Sequence, residues 1–399
     1  MESYYRPTRA EIDLNALEHN LNEFRNRLPA GQKIMATVKA NAYGHGAVGI
    51  AKAAVRWGVD YLSVAFLDEA IQLRQAGIAS PILVLGHTPA EGIQAAIDHD
   101  ITLNVYTNDV LEAAECCYAS KEKGTGQPLR IHVKVDTGMG RIGILAEDAV
   151  PFIQKAMGMP GVRVEGVFTH FACADEADLS YTHMQYQRFQ KVLDTFEAQG
   201  VSFPLIHTGN SAAAIQVPEW SYSMVRLGIS MYGLYPSDEV PADWVDLKPV
   251  MRIVSRLSNV KTLPPGEGIS YGVRYYTQTQ ERIGTVPIGY ADGYSRMLTG
   301  KAEALVRGQR VPVVGTICMD QCMLNLTILP EEGMDVGIGE EVVLMGRQGD
   351  LVISAEDIAA HLGTINYEVT CMVAHRIPRV YLREGRPEEV VHALMPVEG

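Results

Sequence analysis

Between residues 33 and 235 the hydrophobic pattern switches repeatedly between two periods, and this alternation constrains the fold more than any other feature of the chain. Eight short runs rich in Val, Ile and Leu read as strands: KIMATVK, YLSVAF, PILVLG, ITLNVY, RIHVKVD, VRVEGVFTHF, PLIHTGN and MVRLGISMYG. Between them lie AVGIAKAAVRWG, LDEAIQLRQAG and EDAVPFIQKAM, whose apolar residues recur at three- and four-residue spacing, as on one helix face. Ahead of the first run, Asp13 is placed to cap LNALEHNLNEFRNRL, where Leu14, Leu17, Leu21 and Phe24 keep the same spacing. Strand–helix alternation predicts a parallel sheet covered by helices. Eight repeats are the count of a closed (β/α)8 barrel of the TIM type, although alternation alone also allows an open, doubly wound sheet. A barrel makes one demand, that reactive groups collect at the carboxyl ends of the strands. The sequence meets it: Lys39 follows the first strand, Arg141 follows the fifth and His170 ends the sixth. Asn210 and Ser211 follow the seventh, and Gly228 and Ile229 lie in the eighth.

A chain of 399 residues is too long for one ordinary core. At YPSDEVPADWVDLKPV the texture turns proline- and aspartate-rich, as in an interdomain linker. Beyond it, VMRIVSRLSNVKTL, GISYGVRYYT, ERIGTVPIGY, EALVRGQRVPVVGTI, EEVVLMG and VYLRE predict a mainly β domain. One helix is expected at SAEDIAAHLG, capped by Ser354, with Glu356 and Asp357 in its first turn. The expected division is a barrel over residues 1–244 and a C-terminal β domain over 245–399.

Composition excludes several functions. A net charge of −13 argues against nucleic acid and anionic membrane as partners. The start, MESYYRPTRAEIDL, lacks the basic and apolar regions of a secretion signal, and no long uncharged apolar run spans a membrane. Six cysteines without a CxxC pair suggest neither a disulfide framework nor a metal site, so the expected compartment is the cytosol. The segment GMGRIG (138–143) spells GxGxxG after a strand, and Glu165 lies at about the distance of a dinucleotide-binding acid. Glu165 sits inside VRVEGVF rather than at its end, which disfavours that reading. Lys39 is more informative. It closes an apolar strand within VKANAYGHG (38–46), and a strand-end lysine facing a pocket can lose its proton and act as a nucleophile.

The whole chain resembles the bacterial alanine racemase family, pyridoxal-phosphate (PLP) enzymes of fold type III. The resemblance is carried by VKANAYGHG, DTGMGRIG (136–143), THF (169–171), GNSAA (209–213), MVRLGISMYG (224–233), ISYG (269–272), PIGYADG (287–293), GTICMDQCM (315–323) and INYEV (365–369). It implies a PLP-binding (β/α)8 barrel with a C-terminal mainly β domain, and places the first strand, about residues 8–13, in the second domain. It implies racemisation of alanine, supplying D-alanine for peptidoglycan synthesis in a bacterium, by a homodimer with shared sites. Lys39 would hold the cofactor and serve as base on one face of the substrate Cα; Tyr271 of the partner copy would serve on the other. Tyr43, Leu85, His170, Asn210, Ser211, Arg226, Gly228, Ile229 and Tyr367 would surround the cofactor, with Arg226 facing the ring nitrogen and His207 supporting it. Arg141 and Met319 would hold the substrate, and Lys134, where some members carry a carbamate, would brace Arg141. Tyr290 and Tyr367 would form the mouth, with Asp320 and Cys318 beside it. The rivals are a racemase of serine or broader specificity, a basic amino acid decarboxylase, and a non-catalytic PLP-homeostasis protein.

Overall fold

The computed structural model describes residues 4–120, 127–329 and 336–395; the outer ends of the two expected domains, residues 1–3 and 396–399, lie outside them. The chain forms two compact units, one of residues 17–42 and 47–248, the other of residues 1–16, 43–46 and 249–399. It opens on β1 (Arg9–Asp13) and α1 (Leu14–Arg27). The Asp13 carboxylate accepts from the backbone of Asn15 and Ala16, as its capping position demands.

The first unit carries β2 (Lys33–Thr37), α2 (Ala47–Arg56), β3 (Tyr61–Val64), α3 (Leu67–Gln75), β4 (Ile82–Val84), α4 (Ile93–Asp98), β5 (Thr102–Val105), α5 (Asn108–Ala119), β6 (Leu129–Asp136), β7 (Ile144–Leu145), α6 (Ala149–Met157), β8 (Val162–Phe168), α7 (Ser180–Glu197), β9 (Leu205–His207), α8 (Ser211–Gln216) and β10 (Met224–Leu227). The strands run β10-β2-β3-β4-β5-β6-β8-β9, and every pairing along that path is parallel. Between β9 and β10 single hydrogen bonds replace a ladder: Ser223 N–H donates to Ile206 O and Arg226 N–H to Gly209 O. The result is a nearly closed barrel. Met35, Tyr61, Leu83, Leu205 and Met224, from five strands, form one buried cluster on which Leu85 packs. Strands β3, β4, β5 and β10 are buried at every position, as sheets covered on both faces require.

Two expected elements are shorter than their sequences suggest. The run MVRLGISMYG leaves the sheet at Leu227, because Gly228 turns the backbone and residues Ile229–Tyr232 form a 3-10 turn. Gly228 and Ile229 therefore follow the eighth strand instead of lying in it. His170 likewise stands two residues beyond β8.

In the second unit the strands are β11 (Met251–Arg256), β12 (Asn259–Leu263), β13 (Gly268–Ile269), β14 (Tyr275–Tyr276), β15 (Glu281–Val286), β16 (Glu303–Val306), β17 (Gln309–Val314), β18 (Cys322–Asn325), β19 (Glu341–Gln348), β20 (Leu351–Ile353), β21 (Arg379–Arg383) and β22 (Arg386–Val391). The main sheet has the order β12-β15-β18-β17-β16-β19-β11-β1-β21-β22. Strand β1 lies between antiparallel β11 and parallel β21, so the first strand of the chain belongs to this sheet. Helix α9 (Ala355–Leu362) starts at Ser354 with a reciprocal box: Asp357 N–H donates to Ser354 Oγ, and Ser354 N–H to the Asp357 carboxylate. Helix α10 (Asn366–Cys371) follows. Among the described residues no helix is long and apolar enough to cross a membrane.

Candidate active site

The carboxyl ends of the barrel strands gather a basin of cations. Lys134, near the end of β6 and 3% exposed, is pushed down to about 7 by burial and by the Arg141 and Arg226 charges, which Asp136 only partly offsets; Lys39 adds to the repulsion. His170 feels Arg226, Lys134, Arg141 and Lys39, and with burial as the leading cause its ring is held neutral, well below the usual histidine range. Four of the residues singled out in the sequence as cationic thus share one neighbourhood, with Asp136 beside Lys134 and the Glu69 carboxylate accepting from Ala40 N–H next to Lys39. Four cations outnumber these two carboxylates, and positive charge in excess suits an anionic ligand.

Arg226 is the centre of this arrangement. It is 4% exposed, and its guanidinium donates to His207 Nδ1 (2.9 Å), His170 Nδ1 (2.9 Å), Thr169 O (3.0 Å) and Thr208 O (2.9 Å). Burial draws it down to about 9, with Arg141 acting in the same sense. His207 stacks on Phe168 with ring centroids 4.7 Å apart, so its orientation is fixed from the side.

Arg141 rides on the loop after β6. The Asp136 carboxylate accepts from Gly138 N–H (2.9 Å) and Gly140 N–H, which folds GMGRIG back on the strand end. After Gly143 the chain enters β7, paired with β6, instead of opening a helix. A dinucleotide-binding turn needs that helix. Asn210 caps α8 through a bond from Ala213 N–H (3.0 Å), so its carbonyl is committed locally. Ser211 Oγ accepts from Gly228 N–H (2.9 Å) and holds that turn against the helix start.

The second unit carries the other group of expected residues. Tyr271 is 73% exposed on a loop between β13 and β14 where Ser270, Gly272 and Val273 all have positive φ. Thr316 pins the loop from both sides, its Oγ1 donating to Tyr271 O (2.8 Å) and its O accepting from Ser270 Oγ (2.6 Å). Ser270 Oγ also lies 3.2 Å from Cys318 Sγ. Cys318 O and Met319 O accept from Tyr290 N–H and Ala291 N–H, so Tyr271, Tyr290, Cys318 and Met319 form one connected surface. Asp320 pairs with Arg376 (2.5 Å). Tyr43 and Tyr367 face one another with centroids 6.2 Å apart. Burial leads in pushing the Tyr43 phenol well above its ordinary range.

Sequence reasoning missed three supports. Arg376 also pairs with Asp292, which Arg6 holds from the other side, so a fully buried carboxylate anchors the Asp320 loop. Burial alone would raise Asp292, but its bonds from the two arginines hold it below its ordinary range. Arg379 and Tyr381 clamp the backbone at 44–46: the guanidinium donates to Gly44 O (3.0 and 2.8 Å), and the phenol to His45 O (3.0 Å). A Cβ at Gly44 would fall 2.0 Å from Thr370 O, which explains the glycine. Finally, Ala40, Asn41, Ala42 and Tyr43 are all left-handed, with φ of 51–54°. Each such non-glycine residue costs about 1–2 kcal/mol, and strain of this kind collects at functional sites. Propensity carries no signal for it.

The family profile described as "Alanine racemase, N-terminal domain" matches residues 12–236, and "Alanine racemase, C-terminal domain" matches residues 250–381. The alanine racemase of Desulfovibrio desulfuricans is 47% identical over 96% of this chain and 100% of its own length. The crystal structure of alanine racemase from Bacillus anthracis with bound L-Ala-P has a TM-score of 0.90 at 41% identity, covering 98% of this chain and 99% of its own. The histidine racemase from Leuconostoc mesenteroides superposes with a TM-score of 0.87 at 31% identity, covering 96% of this chain and 100% of its own.

Proposed function

The chain belongs to the alanine racemase family and is an amino acid racemase; from that premise we propose that it interconverts L- and D-alanine with PLP by a two-base mechanism. The observation that carries the reading is the basin around Lys39, whose excess of cations fits a ligand bearing a phosphate and a carboxylate. Bound there, PLP supplies the electron sink that makes an amino acid's Cα–H acidic. Lys39 is the attachment point, and its released amine moves a proton on one face of Cα. Tyr271 of a second copy moves a proton on the other face.

The remaining residues orient the reactants. Arg226 donates only, so it holds a ring nitrogen by hydrogen bonding without protonating it. Asn210, Ser211, Gly228, Ile229 and Tyr43 take the phosphate end, while Leu85 and Tyr367 complete the cofactor's surroundings. Arg141 takes the substrate carboxylate with its forked donors, while Met319 lines the substrate side from the second copy. Tyr290 and Tyr367 set the width of the mouth, with Asp320 beside it, and a narrow mouth favours alanine by excluding volume. Lys134 has the depressed amine a carbamate forms from, since only the neutral nitrogen attacks carbon dioxide, releasing a proton. Supplied with 13C-bicarbonate, the protein should show a carbamate carbonyl resonance that Lys134→Ala abolishes; its absence near neutral pH rejects the modification.

Arg226 speaks against a decarboxylase, which needs an acid at the ring nitrogen, and the second matched domain speaks against a PLP-homeostasis protein. Serine or a wider set of substrates is the alternative, since the fold also carries a histidine racemase. In a bacterium the D-alanine would feed peptidoglycan synthesis. Six free cysteines suit the reducing cytosol. Purified protein with PLP should convert L-alanine to D-alanine faster than it racemises serine or histidine. A reversed order of preference overturns the substrate assignment.

A further inference from the structure

His132, Glu165 and Tyr61, titratable groups inside the barrel, have no part in the reaction proposed for this chain; the Glu165 side chain keeps 19% of its surface exposed. His132 on β6 is fully buried, and its Nδ1 lies 2.8 Å from His207 Nε2. Its own Nε2 lies 3.4 Å from the Glu165 carboxylate on β8. Glu165 also accepts from the Tyr61 phenol (2.8 Å), which in turn lies 2.8 Å from Thr102 Oγ1. Gly166, next to Glu165, makes room for the His132 ring, since a Cβ there would sit 2.9 Å from two of its atoms.

Donor logic fixes every proton in this line. Guanidinium only donates, so His207 Nδ1 accepts from Arg226 and the imidazole proton is on Nε2. That proton points at His132 Nδ1, which accepts, leaving the His132 proton on Nε2 directed at Glu165. Among the described residues every acceptor on Arg226 itself is uncharged: two imidazoles and two carbonyls. A buried cation without a nearby counter-charge is costly, and Glu165 lies at the far end of two aligned imidazole dipoles. The hydrogen bond from His132 leads in holding the Glu165 carboxyl down to about 2, so it stays ionised at neutral pH, and burial keeps His132 neutral.

We propose that Glu165, acting through His132 and His207, is a positioning residue for Arg226, locking both imidazoles in their Nε2–H tautomers so that the guanidinium has a single orientation toward the ring nitrogen of the cofactor. The proposal rests on the reading above that Arg226 faces that nitrogen. The bland alternative is a satisfied polar cluster that only helps the barrel to fold, and protonation states separate the two.

Glu165→Gln is the decisive variant, because an amide can donate to His132 Nε2. The line can then reverse, placing a proton on His207 Nδ1 against the Arg226 N–H. Neutron diffraction from crystals of the holoenzyme should find deuterons on Nε2 of His132 and His207 in the wild type, and on Nδ1 of at least part of the population in Glu165→Gln. The variant should lose roughly 10- to 100-fold in kcat, the range typical of partners that orient a donor group, with KM for alanine little changed and the bound cofactor's visible absorption shifted. A wild-type deuteron on Nδ1 of either ring, or a variant with unaltered tautomers, overturns the relay and leaves the proposed function standing. Rearranged tautomers with unaltered absorption and kcat overturn instead the placement of Arg226 at the ring nitrogen. Should Glu165→Gln fail to fold, the wild-type deuteron positions alone decide, with Tyr61→Phe as control: it removes a bond to Glu165 outside the line and should leave tautomers and kcat as they are.

Discussion

Lys39→Ala should leave a protein that is colourless under conditions where the wild type is yellow, and should lower racemisation by more than about 10⁴-fold, since the proposed covalent attachment point and general base would be removed together. Lys39 is half-buried two residues beyond β2, in the neighbourhood of Lys134, Arg141 and Arg226. Truncating it removes one positive charge from a crowded group, so the fold should not suffer. Borohydride reduction followed by peptide mass mapping provides the check: the wild type should carry one fixed pyridoxyl group on the peptide containing Lys39, and the variant none. A variant that keeps its visible absorption and its activity rejects the attachment site, whatever the family resemblance.

How much of this was legible in the sequence depended on whether the signal was local. Strands β3, β4 and β5 were readable because burial on both faces turns a parallel strand into a continuous apolar run, and α2 because Ile50, Ala51 and Ala54 recur on one face. The Ser354 box was readable because both partners lie within one turn. The placement of β1 between β11 and β21 was not, because pairing partners some 240 and 370 residues away leave no mark on five residues. The same holds for Thr370 and Tyr381, which leave no room for a Cβ at Gly44 and Gly46 of VKANAYGHG although they lie more than about 320 residues downstream. Strand ends were overrun where a glycine ended the ladder, as at Gly228, because an apolar run does not announce where its hydrogen bonding stops. Glu165 shows the opposite failure. It stood out as the acid of a dinucleotide motif, and its place beside His132 became visible only once β6 and β8 were paired.

Tyr271→Phe tests the other half of the mechanism, and its expected result is asymmetric in a particular way. The equilibrium between enantiomers is fixed by symmetry, so net racemisation must fall by the same factor in both directions, on the order of 10²–10⁴ for loss of a general base. Exchange of the Cα proton with solvent carries no such constraint. In the proposed scheme the face assigned to Lys39 should keep its exchange and the face assigned to Tyr271 should lose it, so deuterium should enter one enantiomer without inversion and scarcely enter the other. The structure gives a reason to look outside the chain for the partner of this phenol. Tyr271 is 73% exposed on a loop held in positive-φ conformations, in a unit that also exposes Val273, Tyr276, Met297 and Met319. Pinned, strained loops bearing uncovered aromatics are more economically explained as a face for another molecule than as free surface. If that molecule is a second copy related by a two-fold axis, Lys39→Ala and Tyr271→Ala subunits are each inactive alone, while their heterodimer contains one intact site. Random pairing of equal amounts then restores roughly a quarter of the wild-type rate. No recovery on mixing, or full activity from a subunit held monomeric, would mean that the second base comes from the same chain, and the two-copy site would have to be abandoned.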